Sequence, residues 1–222
     1  MDTLTAIKNR HSVRRYTDKA IDNEILSELR AEIDACNKES GFHIQLVINE
    51  PKAFDGMMAH YGKFSGVRNY IALVGKKDDD FDEKSGYYGE RIALKAQVLG
   101  LNTCWVAISF SKGAAKKALV IDSGEKLGCV IALGYGETQG VAHKSRPLTD
   151  LYKTNGNIVN IPEWFKNGME AVLLAPTATN QQRFLFTLSE DTVTADATGG
   201  FYSKVDLGIV KYHFEIGSGK KP

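Results

Sequence analysis

The sequence has little cysteine, little net charge and no long apolar run, and each of these absences excludes a class of protein. Its three cysteines are odd in number and far apart, so they predict neither a disulfide framework nor a paired metal site. A formal net charge of +1 lacks the concentrated positive field that nucleic-acid or acidic-membrane binding requires. No segment is long and apolar enough to span a bilayer, and the N-terminus lacks the apolar core of a signal peptide. We therefore expect a reduced, cytoplasmic protein with no nucleic-acid, membrane or metal partner.

The rest of the composition is that of an ordinary globular protein. The 222 residues are 43% hydrophobic and 25% charged, which is enough to bury a core in one large domain or two small ones. Apolar periodicity and turn residues predict the secondary structure. The predicted helices are 3–9, 23–35, 51–60, 85–99, 114–119, 162–174 and 206–216, and the predicted strands are 42–48, 70–74, 103–108, 129–133, 184–188 and 192–195.

The densest polar feature is Arg10–Arg15, which we predict to be a turn after the first helix. Three guanidiniums, an imidazole and a hydroxyl lie within these six residues. Arginine offers planar, bidentate donors that suit phosphate, and serine adds a neutral donor. A second cationic pair, Lys144 and Arg146, comes shortly after a predicted strand. Such sets occur in anion-binding sites and also in plain solvated basic turns, so both interpretations stay open at this point.

Two further loops have unusual compositions. Gly134–Gly140 invites a dinucleotide-fold interpretation, but that fingerprint must open a helix, whereas this chain continues into loop residues through Pro147. We therefore reject that interpretation. Ala175–Gln182 has no charge and is rich in amides and hydroxyls. It is either a polar linker or a rigid turn that hydrogen-bonds a planar polar ring.

The order of predicted elements repeats within the chain. A helix, a polar turn, a strand and a later helix entered through glycine occur first between residues 25 and 99 and again between 164 and 216. A repeat of this kind predicts a pseudo-dimer fused in one chain. We expect one repeat with the phosphate-binding turns over 1–160, a shorter repeat that completes the site over 161–217, and a tail over 218–222.

The separated motifs together resemble the FMN-dependent nitroreductase family, in its fused two-repeat, TM nitroreductase-like branch. Arg10–Arg14 resembles the N-terminal phosphate-binding turn of that family. Leu133–Tyr135 with Lys144–Arg146 resembles its late strand and second phosphate contact. Pro176–Gln182 is similar to its Pro-Ser-x-x-Asn-x-Gln turn, and Gly100–Trp105 to the Gly-Leu-Gly-x-Cys-Trp motif that begins a strand beside the flavin.

The resemblance implies a fold and a cofactor. The fold would be an α+β sandwich with a mixed, mainly antiparallel sheet flanked by helices, and FMN would carry the redox chemistry. Arg14 would reach either the phosphate or the pyrimidine edge of the flavin. No side chain would act as a catalytic acid or base. The residues that the resemblance assigns to cofactor binding are Arg10, His11, Ser12, Arg14, Lys63, Ala107, Lys144, Arg146, Pro176, Thr177, Thr179, Asn180 and Gln182.

The resemblance also implies an activity. NADH or NADPH would reduce FMN, and a small-molecule acceptor such as a nitroaromatic or a quinone would then take the electrons. The alternatives are a flavin-destructase-like enzyme, which fragments FMN with oxygen, and a non-catalytic FMN carrier or sensor. The chain departs from ordinary members because its asparagine-containing turn lies in the second repeat, at Pro176, and not at Cys36–Gly41. The site would thus be completed within one chain, in a monomer or a homodimer.

Overall fold

A computed structural model describes residues 1–156, 158 and 160–222, which form two compact units. Unit 1 comprises Met1–Asn9, Asp82–Arg91 and Ala142–Pro222, and unit 2 comprises Arg10–Phe81 and Ile92–Val141. None of the helices in this part of the chain is long and apolar enough to cross a membrane. The helices are α1 Thr3–Asn9, α2 Asn23–Ser40, α3 Met57–Tyr61, α4 Phe81–Val98, α5 Lys112–Lys117, α6 Glu163–Val172 and α7 Ser203–Ser218, and the strands are β1 Gln45–Val47, β2 Asn69–Lys76, β3 Asn102–Val106, β4 Glu125–Gly134, β5 Tyr152–Asn155, β6 Phe184–Ser189 and β7 Thr192–Ala197.

Unit 2 is built on a four-stranded antiparallel sheet with the strand order β1-β2-β4-β3. The apolar runs that predict strands at 70–74 and 129–133 lie within its two central strands, and the residues of both runs are buried. Phe54 packs against Phe64, Tyr70 and Phe110 in a hydrophobic cluster that includes residues of β2, β3 and β4. This sheet fixes the loops that carry the candidate site residues of the unit.

Unit 1 contains a three-stranded mixed sheet in the order β5-β6-β7. The predicted hairpin of β6 and β7 is confirmed, and β5 pairs parallel to β6. Phe214 of α7 lies between Phe165 of α6 and Phe186 of β6, with ring centroids 5.7 and 5.0 Å away. The predicted α+β fold with a mixed, mainly antiparallel arrangement of strands is confirmed.

Within unit 1, α7 crosses the Asp82–Arg91 part of α4 at a pair of glycines. A Cβ on Gly86 of α4 would overlap the carbonyl oxygen of Val205, and a Cβ on Gly208 of α7 would overlap that of Glu83. Each glycine therefore meets the residue three positions before the other, as two helices related by a local two-fold axis would do. The predicted pseudo-dimer and its division at residue 160 stay predictions, since the compact units are discontinuous in sequence.

Several predicted boundaries are wrong. The polar segment 36–41 is not a turn, because α2 continues through Ser40 and ends at Gly41 in the left-handed conformation. The single helix predicted over 51–60 is a 3-10 turn, Pro51–Ala53, followed by α3. Helix α4 begins at Phe81, four residues before the predicted start at residue 85, and β5 has no predicted counterpart.

Candidate functional site

The arginine-rich segment of unit 2 is an extended segment and not the predicted turn. The Val13 amide donates to the Thr103 carbonyl at 3.0 Å, on the β3 side. On the other side, the Ser65 amide donates to the Arg14 carbonyl, and the Tyr16 amide donates to the Ser65 carbonyl, each at 3.0 Å. Alternate side chains of an extended segment share one side, so Ser12 and Arg14 face the same way and Arg15 faces the other.

Ser12 and Arg14 both interact with the Cys104 thiol, as expected if their side chains lie on the same side of the segment. Burial raises the pKa of the Cys104 thiol. The charge of Arg14, a hydrogen bond from Ser12 and the charge of Arg10 act to lower this pKa. Burial also raises the pKa of Tyr16 well above its ordinary value, and Cys104 adds to that shift. The predicted phosphate donors of this segment therefore lie around one buried thiol.

The structure brings the segments of Lys63 and Ala107 to the same part of unit 2. Lys63 has a φ of +62° and precedes Phe64, whose ring centroid lies 5.9 Å from the Arg14 guanidinium. A Cβ on Gly62 would lie 2.5 Å from Cβ of Ser109, two residues beyond Ala107. Lys63 thus lies on a loop that borders the arginine-rich segment, and the loop after Ala107 lies close to the loop of Lys63.

The glycine-rich segment 134–140 packs against the same strand and segment. The Gly136 amide donates to Oδ1 of Asn102 at 2.9 Å, and Nδ2 of Asn102 donates to Gln139 at 3.0 Å. Gly140 has a φ of +77°, and a Cβ there would lie 2.8 Å from Cβ of His11. No α-helix follows it before β5, so the rejection of a dinucleotide fingerprint is confirmed.

In unit 1, the amide-rich turn lies against the second cationic pair. Nδ2 of Asn180 and Nε2 of Gln182 donate to the Lys144 carbonyl at 2.8 and 3.0 Å. Oε1 of Gln182 accepts from the Arg146 amide at 2.8 Å, and the Arg146 guanidinium donates to the Gln182 carbonyl at 3.3 Å. A bridge of four hydrogen bonds thus joins residues that are 36 or 38 positions apart in the sequence.

These contacts give the turn a structural task that its composition did not predict. Gln182 is only 3% exposed, and its side-chain oxygen and nitrogen both bond protein groups. Thr177 follows Pro176, and its Oγ1 accepts from the Gln182 amide at 3.1 Å, while Thr179 is exposed. The turn therefore positions the backbone of Lys144 and Arg146, whose long side chains carry the charge.

The turn is held from its other side by Asp206, in the first turn of α7. Its carboxylate accepts from the Ala178 amide at 2.8 Å and from Nε2 of Gln181 at 2.7 Å. No sequence motif marked Asp206, because an acidic residue in a first helical turn is common at the positive end of a helix. Its contact with residue 178 appears only in the folded chain.

Asp206 makes the stability of the protein depend on pH. Burial raises the pKa of its carboxyl from 3.8 to about 6, against the opposing hydrogen bonds from Gln181 and Ala178. Since the folded pKa lies above the unfolded one, the folded state binds more protons between these values, and this contribution to stability is lost as pH rises through them. The uncharged Asp206→Asn variant does not lose this contribution. We therefore expect its free energy of unfolding, measured relative to that of the wild type, to be about 2 kcal/mol higher at pH 7.5 than at pH 4. Urea unfolding at both pH values measures this difference, and an equal change at both would contradict it.

The donor sets fit the groups that FMN presents. A phosphate needs several N–H and O–H donors, which Arg10, Ser12 and Arg14 offer in unit 2 and Lys144 and Arg146 offer in unit 1. A flavin ring has carbonyl and nitrogen edges that suit backbone and hydroxyl groups. The residues therefore match the cofactor in chemical type.

A separate group in unit 2 has ligand atoms of the kind that bind metals. His43, Asp122 and Glu125 each place one such atom within 4.8 Å of the others. Glu125 Oε2 lies 3.1 Å from Nδ1 of His43 and accepts from the Asp122 amide at 2.9 Å. These contacts join the segment before β1 to the beginning of β4. We therefore assign the group a role in stabilising the fold.

Solved structures share the fold. One from Thermotoga maritima, named as a nitroreductase, has a TM-score of 0.65 at 23% identity and covers 97% of this chain and 83% of its own. Two others, from Bacteroides thetaiotaomicron and Parabacteroides distasonis, are named NADH dehydrogenase/NAD(P)H nitroreductase. Their TM-scores are 0.52 and 0.53 at 21% identity, over 66% and 70% of this chain and 95% and 97% of theirs. No curated protein matches the chain in sequence.

The α+β fold and these neighbours define a protein of the nitroreductase fold. The sequence profile of the TM nitroreductase family matches residues 2–218. The chain belongs to that family.

Proposed function

We propose that the protein is an FMN-dependent NAD(P)H oxidoreductase of nitroreductase type that reduces nitroaromatic or quinone-like acceptors. The observation that carries the proposal is the arginine-rich segment of unit 2, which is fixed along both edges and directs Ser12 and Arg14 to one side. Family membership supports the oxidoreductase class. The names of the Bacteroides and Parabacteroides structures refer to NADH and NAD(P)H, the donors that we propose here.

Each set of residues has a defined task in this proposal. Arg10, Ser12 and Arg14 of unit 2 bind the phosphate, and the cationic side chains of Lys144 and Arg146 in unit 1 are a second set of donors for an anionic group. Bound FMN would supply the redox chemistry, accepting hydride from NAD(P)H and delivering it to the acceptor. The protein contributes binding, orientation and charge, so no side chain is required to move a proton.

Reconstitution tests the proposal directly. The purified chain, loaded with FMN and desalted, is expected to keep a flavin absorption spectrum and to oxidise NADH or NADPH when a quinone is added. A protein that stays colourless after incubation with FMN would refute the proposal. Retention of FMN without NAD(P)H oxidation would instead indicate a carrier or sensor, and loss of intact FMN after aerobic reduction would indicate a destructase.

The cellular setting is part of the same proposal. Cys36, Cys104 and Cys129 are all buried, and none of the three is part of a disulfide. Free thiols are the rule in reducing compartments. We therefore propose a cytoplasmic protein whose partner is a small-molecule acceptor, acting as a monomer or a homodimer.

A further inference from the structure

The amide-rich turn of unit 1 has a strained backbone. Thr179, Asn180 and Gln182 have φ values of +50°, +56° and +47°, in the left-handed region that non-glycine residues rarely adopt. Residues in such conformations persist only where their surroundings hold them. Three of them within four positions therefore require an external restraint on the turn.

Asp206 provides that restraint. Its carboxylate is 2% exposed and uses one oxygen for the Ala178 amide and the other for Nε2 of Gln181. Nε2 of Gln181 also donates to the Phe201 carbonyl at 2.7 Å, which ties the same amide to the segment before α7. Charge-assisted hydrogen bonds are about twice as strong as neutral ones. Two of them thus hold the turn at the residues that flank Thr179 and Asn180.

We propose that Asp206 is a positioning residue of the cofactor site, whose buried carboxylate holds residues 176–182 in the conformation that presents Lys144 and Arg146 to the cofactor. The proposal rests on the function proposed above. The link runs through the bridge from Asn180 and Gln182 to the backbone of the cationic pair. Asp206 itself contacts the turn, and it acts on the cofactor only through that turn.

Hydrogen–deuterium exchange and FMN titration of the full chain test the proposal together. Asp206→Ala removes both acceptors, so amide exchange over 176–183 should rise at least about tenfold, and the Kd for FMN should rise about tenfold. Asp206→Asn keeps an acceptor for Ala178, and its FMN Kd should stay within about threefold of the wild type. This rescue by the conservative variant separates positioning from a purely structural effect.

The matched control is Glu215→Gln. Glu215 lies on the same helix and accepts a hydrogen bond from the Tyr87 hydroxyl, far along the chain from the turn. It should leave exchange at 176–183 and the FMN Kd unchanged. If Asp206→Ala does not fold, Gln181→Met removes one partner of the carboxylate and should loosen the same segment.

The outcomes are distinguishable from failure of the proposed function. Unchanged exchange over 176–183 in folded Asp206→Ala would overturn the proposal, and so would an equal rise in Glu215→Gln. Faster exchange with an unchanged FMN Kd would overturn the link to the cofactor. A wild-type protein that binds no FMN would refute the proposed function and this link together, while exchange alone would still decide whether Asp206 holds the turn.

Discussion

Replacing Gly208 with alanine is expected to lower the free energy of unfolding by about 3 kcal/mol or more. The new Cβ would overlap the carbonyl oxygen of Glu83 and lie 2.6 Å from the Tyr87 amide nitrogen. Both are backbone atoms of α4, which cannot rotate away as a flexible side chain does. Helices α4 and α7 would have to separate, which would weaken the contacts that flank the crossing. Urea denaturation of the purified protein measures the effect.

The sign of the change distinguishes packing from helix propensity. Alanine favours a helix over glycine by about 1 kcal/mol, so propensity alone predicts stabilisation. Gly113→Ala in α5 is the matched control, because among the described residues no atom outside its own helical turn lies within 4 Å of its Cβ position, and it should be neutral or stabilising. Gly86→Ala should resemble Gly208→Ala, and the double variant should cost less than the sum, because one separation relieves both overlaps. A Gly208→Ala protein as stable as the wild type would contradict the close crossing.

The sequence correctly predicts the elements whose burial is evident from a run of consecutive apolar residues. The apolar run Tyr70–Val74 is buried on both faces in the middle of a sheet, and such strands need no partner to be recognised. The hairpin of Phe184–Ser189 and Thr192–Ala197 likewise joins two adjacent segments through a two-residue turn. Local pattern and tertiary environment agree in these cases, so the prediction is confirmed.

The wrong boundaries arise where a distant contact decides the local structure. Asparagine is common in turns, yet the side chain of Asn37 hydrogen-bonds both the amide and the carbonyl of Ile44, and α2 continues past it. Glu50 accepts from the Lys52 and Ala53 amides and also from the Tyr70 hydroxyl, which favours a short 3-10 turn over a full helix. The residue pattern around Asn37 or Glu50 does not show that Ile44 or Tyr70 will be its hydrogen-bond partner.

The candidate site likewise has features that local composition predicts and contacts between distant segments that it does not. Its charged and amide-rich segments were found from composition, because unusual residue types cluster within six to eight positions. The bridge between Gln182 and Arg146 and the contact of Asp206 with Ala178 connect segments 36 and 28 residues apart. Such contacts depend on how α7 and the turn pack, so sequence motifs predict the candidate donors but not the residues that hold their segments in place.

Arg14→Ala is expected to raise the Kd for FMN by about tenfold to a hundredfold, because a charge-assisted hydrogen bond is worth about 1.5–3 kcal/mol. Arg14 is exposed and shares a side of the extended segment with Ser12, so its removal should not disturb the core. Arg15→Ala is the matched control, since Arg15 is also exposed but faces the other way, and its FMN Kd should change less than about threefold. Fluorescence titration of the apoprotein with FMN measures both.

Titration with riboflavin, which lacks the phosphate, assigns the group that Arg14 binds. If Arg14 binds the phosphate, the wild type should hold riboflavin more weakly than FMN, and Arg14→Ala should leave the riboflavin Kd unchanged. If Arg14 reaches the pyrimidine edge of the ring, the substitution should weaken both ligands by the same factor. An FMN Kd equal to that of the wild type would remove Arg14 from the site altogether, and in unit 2 the phosphate would then depend on Arg10 and Ser12.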